Sequence, residues 1–373
     1  MTDNCNNTFD MENIFSKDLT VNFYHRLPEP LNSQNTIFTL YGRNGLYYIA
    51  KQIRDKKPEK NQALVPSYSC GDELEAVLRA GFDITPYKID LNLQADLDDI
   101  RLKIGKETGL VLITHYFGLP QKEVLSIKKV CEGMNIFLIE DCAHVFGGIF
   151  KGKSLGTFGD ASIFSLRKFL NIPHGGALVI NNKSLNRPDF RQPQNEAVLL
   201  DFFIFLGQKN GFFQKGTPID KIYRQIGLDY KNRHGPRLES FGGYTLVLSN
   251  LAKFLIKKND ALKIINSRVF NFHTYLNIFL SHPNNHARPL ILSLPNGVVP
   301  LIFPIVVEDS ESFCARLKEK NINFCQPFWS YFHKYFDWVQ YPEVVKLKKN
   351  VVALPVDTKI DKKMIIKVIQ KIK

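Results

Sequence analysis

The sequence predicts an α/β fold, in which a doubly wound, mostly parallel sheet takes the larger part of the chain and a smaller α+β unit follows it. Three observations predict this. Between Leu64 and Ile180 short apolar runs alternate with segments of helical character, as successive βα units require. One run, Ile136-Phe137-Leu138-Ile139, is continuously apolar, the pattern of a buried parallel strand, and it ends abruptly in two carboxylates, Glu140 and Asp141. After Pro289, strand and helix signals alternate again on a shorter scale.

Size and composition allow a large core. The chain has 373 residues, of which 44% are hydrophobic and 23% charged, so it reads as ordinary globular protein rather than disordered chain. A formal net charge of +13 favours a partner with negative charge, whether nucleic acid, an anionic membrane surface or a phosphorylated substrate. Many lysines lie near the C-terminus (Lys346, Lys348, Lys349, Lys362, Lys363, Lys367, Lys371 and Lys373). They alternate with apolar residues as the solvated face of a helix would, and no nucleic-acid partner is expected from them. Six cysteines show no CxxC pair, and the polar, acidic N-terminus is unlike a secretory leader. The cysteines therefore read as reduced thiols of a cytoplasmic protein. A bilayer span needs about 20 apolar residues. The strongest run, Ala197 to Leu206, is interrupted by Asp201.

Taken in order, residues 1–35 read as an N-terminal arm that packs on the body or on a partner subunit. Tyr41-Gly42-Arg43-Asn44-Gly45 leads into a helical stretch from Leu46 to Ala50, where unpaired N–H groups and the helix dipole make an anion site, or where Asn44 is simply the N-cap. Leu64 to Cys70 reads as a strand and a Ser-rich loop, followed by a helix from Asp72 that Gly81 stops. Strands follow at Phe82 to Asp90 and Leu110 to Thr114, then a turn at His115 to Pro120 and a helix from Lys122 to Glu132. A further apolar run, Ala161 to Phe164, ends in Ser165, with Lys168 three residues on. The loop closes on Gly175-Gly176 and re-enters a strand at Ala177 to Ile180.

Ligands of open α/β sheets sit at the carboxyl ends of the strands, so Asp141, Ser165 and Lys168 are expected to meet there. A carboxylate, a hydroxyl and an amine suit pyridoxal phosphate. The amine forms an imine with the cofactor aldehyde, the carboxylate keeps the pyridine nitrogen protonated, and the hydroxyl holds the phosphate. Each residue alone also has a plainer reading, Asp141 as a helix cap and Lys168 as a solvated side chain. No Gly-x-Gly-x-x-Gly or Walker pattern occurs, which argues against a dinucleotide or P-loop enzyme.

Beyond Asn181 the pattern is less regular. Arg187-Pro188-Asp189 and Lys215 to Pro218 read as loops. Leu199 to Phe205 and Phe212-Phe213 form an apolar, aromatic region that suits burial in a subunit interface or peripheral contact with a membrane. Glu239 to Leu280 reads as a long helical connector with an apolar stripe through Leu246, Leu248, Leu251, Phe254 and Leu255. A strand at Pro300 to Val307, a helix at Ser310 to Lys320, a strand at Val352 to Asp357 and a terminal amphipathic helix complete the chain. The expected division is an arm over 1–35, a large cofactor domain over 36–240, and a connector helix with a small domain over 241–373.

Asp141-Cys142-Ala143-His144, Gly156-Thr157-Phe158-Gly159-Asp160, Phe164-Ser165-Leu166-Arg167-Lys168 and Gly175-Gly176 together resemble the motif series of the DegT-type sugar aminotransferases. The resemblance implies the aspartate aminotransferase fold, fold type I, with a mostly parallel seven-stranded-type sheet and a small C-terminal α+β domain. It implies pyridoxal 5'-phosphate and transfer of an amino group, usually from glutamate, to a keto sugar carried on a nucleotide, in surface polysaccharide or amino-sugar biosynthesis. It also implies a homodimer.

By the same resemblance Lys168 carries the cofactor and works as general base and acid, Asp141 holds the pyridine nitrogen, Ser165 the phosphate, and His144 the ring hydroxyl. Asn44-Gly45 stands where the family's phosphate-binding turn is usual, Cys70 where a ring-stacking aromatic is usual, with Tyr68 two residues earlier. Arg167 is a phosphate or substrate contact. Asn232 and Arg233 fall near the loop that the neighbouring subunit contributes. No metal is implied. Relatives that dehydrate sugars carry His in place of the lysine, so Lys168 argues against that reaction. A non-catalytic relative that binds a sugar phosphate or a partner protein is the remaining alternative, and Cys70 and Asn44 are its support.

Overall fold

A computed structural model describes residues 26–209, 243–283 and 286–372. Most of the expected arm, the loop at Lys215 to Pro218, Phe212-Phe213, and Asn232 and Arg233 lie outside the described residues. Within the arm's described end, Leu27 and Leu31 are buried in the main core.

The larger sheet has seven strands: β1 (Thr36–Thr39), β2 (Gln62–Pro66), β3 (Asp83–Tyr87), β4 (Thr108–Thr114), β5 (Phe137–Cys142), β8 (Ala161–Phe164) and β9 (Gly176–Ile180). The short strands β6 (Ile149–Phe150) and β7 (Lys153–Ser154) pair only with each other. Across the large sheet the order is β1-β9-β8-β5-β4-β2-β3. β3, β2, β4, β5 and β8 are parallel, and β9 runs antiparallel to both β8 and β1, so it alone is reversed. The sheet is therefore mostly parallel. Every residue of β4 is buried, as a strand covered on both faces demands.

Helices α1 (Gly42–Lys56), α2 (Asp72–Arg79), α3 (Leu97–Lys103) and α4 (Val124–Gly133) make the crossovers. α1 buries Leu46, Ile49, Ala50 and Ile53, the spacing of one helix face. That face lies on β8 and β9 so closely that a Cβ at Gly45 would stand 3.0 Å from Leu178 Cβ. Gly176 is tighter still, since a Cβ there would come within 2.3 Å of Gly42 N, so the first residue of β9 can only be glycine against the start of α1.

α5 (Asn195–Lys209) follows β9. Two helices then stand where the sequence suggests one connector: α6 (Asn250–Ile256), capped by Ser249, and α7 (Ala261–Ser281), capped by Asp260. The cap at Asp260 starts a new helix. Leu246 and Leu248 do not belong to a helical stripe. Their spacing is that of extended backbone, in which Val247 bridges Thr39 and Leu248 N donates to Phe38 O at 3.1 Å.

The second sheet, of order β10-β11-β13-β12, comprises β10 (Ala287–Pro289), β11 (Ile302–Val307), β12 (Gln326–Pro327) and β13 (Val351–Pro355), all antiparallel. Helices α8 (Ser310–Glu319), α9 (Pro342–Asn350) and α10 (Lys362–Ile372) accompany it. Ile365, Val368, Ile369 and Ile372 of α10 pack with Phe272, Phe303 and Leu354 in a core separate from those on the two faces of the large sheet. No described helix is long and apolar enough to cross a membrane.

Candidate functional site

The strands β1, β2, β5 and β8 end on one side of the large sheet, and a cavity of about 80 Å³ opens there. Strand alternation separates the two carboxylates of β5. Asp141 lines the cavity. Glu140 points away and is saturated, since it accepts from Gly156 N at 3.0 Å, Phe158 N at 2.7 Å and Gly159 N at 2.6 Å, and meets His115 Nε2 at 2.8 Å. The Gly156-to-Asp160 motif thus folds around Glu140 and fixes the strand that presents Asp141.

Asp141, His144, Ser165, Arg167, Lys168 and Cys70 all line this cavity. Asp141 Oδ1 accepts from Ala143 N at 2.8 Å. His144 Nδ1 accepts from Phe117 N at 3.3 Å and its ring stacks on Phe117 at 5.9 Å. Lys168 ends a 3₁₀ turn begun after Ser165, and its carbonyl is held by Arg268 Nη2 at 3.2 Å. Arg167 is exposed, with its guanidinium 5.9 Å from the centre of the Tyr41 ring.

Desolvation governs the charges here. Burial, with Glu73 nearby, pushes the Asp141 carboxyl up to about 6. Burial lowers Lys168 from the ordinary lysine value, opposed by Cys70 and Asp141 and aided by Arg167. Burial, then Lys168, holds His144 well below the usual histidine range, so its ring is neutral with Nδ1 as acceptor and the proton on Nε2. Burial, then Glu73, raises the Cys70 thiol.

Three placements differ from the sequence reading. Asn44 is neither the N-cap nor a cavity residue: α1 starts at Gly42 after Tyr41, and Asn44 is wholly buried in its first turn. Its Oδ1 accepts from Tyr41 N at 3.2 Å and its Nδ2 donates to Tyr244 O at 2.7 Å. Gly45 serves the packing of α1 on β9, and Gly42 and Arg43 line the cavity instead. Lys348 is not on a solvated face; it is fully buried. Its ammonium donates to Ser69 O at 3.0 Å, Trp329 O at 3.1 Å and Tyr331 O at 3.1 Å, which supplies the partners that a buried charge requires.

Trp329 and Glu73 also line the cavity, and the sequence motifs mark neither of them. Glu73 was available as the residue three after Cys70, placed to accept at a helix start. Its carboxylate accepts from Cys70 N at 2.9 Å and Sγ at 2.6 Å. Trp329 carries no local motif.

Beside the Lys168 loop lies a larger cleft of about 690 Å³, lined by Arg167, Lys168, Lys258, Lys263, Arg268 and Lys359 among others. Asp260 and Asp357 are its acidic residues, so its walls are predominantly positive.

The residues at the cavity fit pyridoxal phosphate. Among the described groups none is hydrogen-bonded to Lys168 Nζ, the second Asp141 oxygen, Ser165 Oγ or His144 Nε2, and the N-terminus of α1 faces the same space.

Residues 44–195 match the model of the DegT/DnrJ/EryC1/StrS aminotransferase family. Among curated proteins, GDP-perosamine synthase of Escherichia coli O157:H7 is 34% identical over 132 residues, 34% of this chain and 35% of that protein. The match therefore spans about a third of that relative's length. A UDP-4-amino-4,6-dideoxy-N-acetyl-beta-L-altrosamine transaminase of Helicobacter pylori is 22% identical over 297 residues, 76% of this chain and 72% of that one. Among solved structures, the PLP-form of the putative sugar aminotransferase Spr1654 from Streptococcus pneumoniae aligns with a TM-score of 0.62 at 15% identity, over 91% of this chain and 86% of that one. That likeness shows the fold, which is fold type I.

Proposed function

We propose that this chain, a member of the DegT/DnrJ/EryC1/StrS aminotransferase family through its residues 44–195, is a pyridoxal-phosphate-dependent aminotransferase that acts on a nucleotide-linked keto sugar, with glutamate as donor. The observation that carries this reading is the convergence of Lys168, Asp141, Ser165 and neutral His144 on one cavity at the strand ends. The names of the similar proteins, a GDP-sugar synthase and a UDP-sugar transaminase, support a nucleotide sugar and a role in polysaccharide or amino-sugar biosynthesis. The basic cleft beside Lys168 supports a diphosphate-bearing substrate.

In this reading Lys168 Nζ would carry the cofactor, Asp141 would hold its pyridine nitrogen, and Ser165 with the N-terminus of α1 would receive its phosphate. His144 would donate from Nε2 to its ring hydroxyl. When bound, the cofactor supplies an electron sink for the charge that develops at the substrate carbon. Released when the donor amine takes its place on the cofactor, Lys168 Nζ, whose pKa burial lowers, would be the base that takes the proton from the donor carbon and the acid that supplies one to the sugar carbon. Arg167, exposed at the rim between cavity and cleft, orients the substrate's negative charge.

We also place the enzyme in the cytoplasm, in keeping with the five free described cysteines. As a homodimer, it would use α5 as a contact surface: that helix is apolar on several sides and leaves Phe203 63% exposed. We also propose two domains, residues 36–240 and 241–373, in keeping with the two separate sheets.

The test is an absorbance titration with pyridoxal phosphate. The wild type is expected to gain a visible band that glutamate bleaches, borohydride reduction is expected to fix the cofactor on the Lys168 peptide, and Lys168→Ala should show neither. No band in the wild type would instead favour a non-catalytic sugar-phosphate or partner-binding protein.

A further inference from the structure

In the cofactor reading, an aromatic side chain is wanted beside the ring, and Cys70 does not provide one. Its thiol is turned into the first turn of α2, where it donates to Glu73. The only tryptophan lining the cavity is Trp329, from the loop after β12. Its indole packs on Tyr68 at 5.2 Å, on His144 at 5.1 Å and on Phe328 at 4.9 Å.

The backbone at Trp329 is left-handed, with φ of 52°, a conformation a bulky side chain keeps only where its surroundings impose it. Those surroundings are identifiable. Phe328 N donates to Val351 O at 2.9 Å, which fixes the loop to β13. On the other side of the bend, Lys348 holds the carbonyls of Trp329 and Tyr331 together with that of Ser69. An ammonium has three donors, and all three are used on carbonyls. Ser69 precedes Cys70, so a single side chain from α9 joins the loop of Trp329 to the loop that brings Cys70 to the cavity. The rings of Trp338 at 5.0 Å, Tyr331 at 5.3 Å and Tyr68 at 5.7 Å close around the cation.

We propose that Trp329 is the aromatic wall of the cofactor cavity in place of Cys70, and that Lys348 is the positioning residue that pins it there. This rests on the cofactor reading given above.

The chain has two tryptophans, Trp329 and Trp338, so each can be observed alone. Pyridoxal phosphate is titrated into the wild type, Trp338→Phe, Trp329→Phe, Trp329→Ala and Lys348→Met, with emission quenching and the cofactor's own absorbance as readouts. Strong quenching is expected in Trp338→Phe and a weaker signal in Trp329→Phe. The dissociation constant should rise about tenfold in Trp329→Ala, the scale of a lost aromatic contact, with Phe restoring most of it. Lys348→Met should raise the constant with Trp329 still present. In the Trp338→Phe background it should also make Trp329 more accessible to acrylamide at unchanged circular dichroism.

Unchanged affinity in Trp329→Ala, while the wild type binds, overturns the inference alone. No binding by the wild type overturns the cofactor reading and the inference with it. Should Lys348→Met fail to fold, Lys348→Gln is read instead, and an unchanged Trp329 accessibility there removes Lys348 from the proposal.

Discussion

His174 Nδ1 lies 2.8 Å from Asp201 Oδ2 in a place closed to solvent, and the same imidazole meets Ser249 Oγ at 2.7 Å through Nε2. The loop that runs from Lys168 to β9 is thereby tied to α5 and to the cap of α6. Breaking a buried pair leaves an uncompensated polar group, so Asp201→Ala should destabilise the fold by about 3 kcal/mol. Urea denaturation checks the size. A change below about 0.5 kcal/mol would mean the pair does not hold the loop.

Asp141 is expected to trade stability for binding. Its carboxyl is raised from 3.8 to about 6 in the fold, so the folded state holds the proton more tightly than the unfolded chain does. Its contribution to stability is full below about pH 4 and is lost as pH rises through 6. At pH 7.5 Asp141→Asn should therefore stabilise the ligand-free protein, by at most about 3 kcal/mol, and weaken pyridoxal phosphate binding. Thermal melts and cofactor titrations of the same samples test both halves.

Lys348 titrates in the opposite sense. Burial, opposed by Glu73 and Cys70, brings its amine down to about 8 from the ordinary 10.5, so charging it costs the folded state. That cost is full below about pH 8 and is relieved as pH approaches 10.5. Relative to Lys348→Met, the wild type should gain about 1–2 kcal/mol between pH 7.5 and 9.5. Denaturation of both proteins at the two pH values reads the difference, and parallel curves would contradict it.

Gly176→Ala tests the contact between β9 and α1. With Gly42 N only 2.3 Å from the new Cβ, the start of α1 has to shift. A loss of about 2 kcal/mol is expected, as for overpacking in a tight site, together with weaker phosphate and cofactor binding. Gly133→Ala, where a Cβ meets nothing within 4 Å, is the neutral control.

The convergence of Asp141, Ser165 and Lys168 on one cavity is legible in the sequence because Asp141 and Ser165 sit where apolar runs stop, Lys168 follows Ser165 by one short turn, and strand ends of a parallel sheet converge. His144 and Arg167 reach the cavity on the same short segments, and Cys70 reaches it on the loop after β2. The start of α1 was misplaced because Asn44 has the chemistry of an N-cap and here uses it on Tyr41 from the third position of the helix. The connector looks like one helix in the sequence because the period of two at Leu246 and Leu248 runs into the helical spacing of Leu251 and Leu255. Trp329 and Lys348 left no local trace. A lysine in a run of Lys346, Lys348 and Lys349 looks solvated, and only the fold places aromatic rings and three carbonyls around one of them.

The pairing of β1 with β9, and the seating of Phe328 on β13, also set an order of events during synthesis. β1 waits for residues 176–180 before it has a neighbour, and the Trp329 loop waits for Lys348 and Val351. A nascent chain that has emerged only to α8 carries Lys168 and Asp141 without the indole beside them. If the cofactor is held as proposed, the cavity would gain its aromatic wall only after residues 329–351 have joined the part that carries Asp141 and Lys168, so shorter nascent chains would hold it weakly.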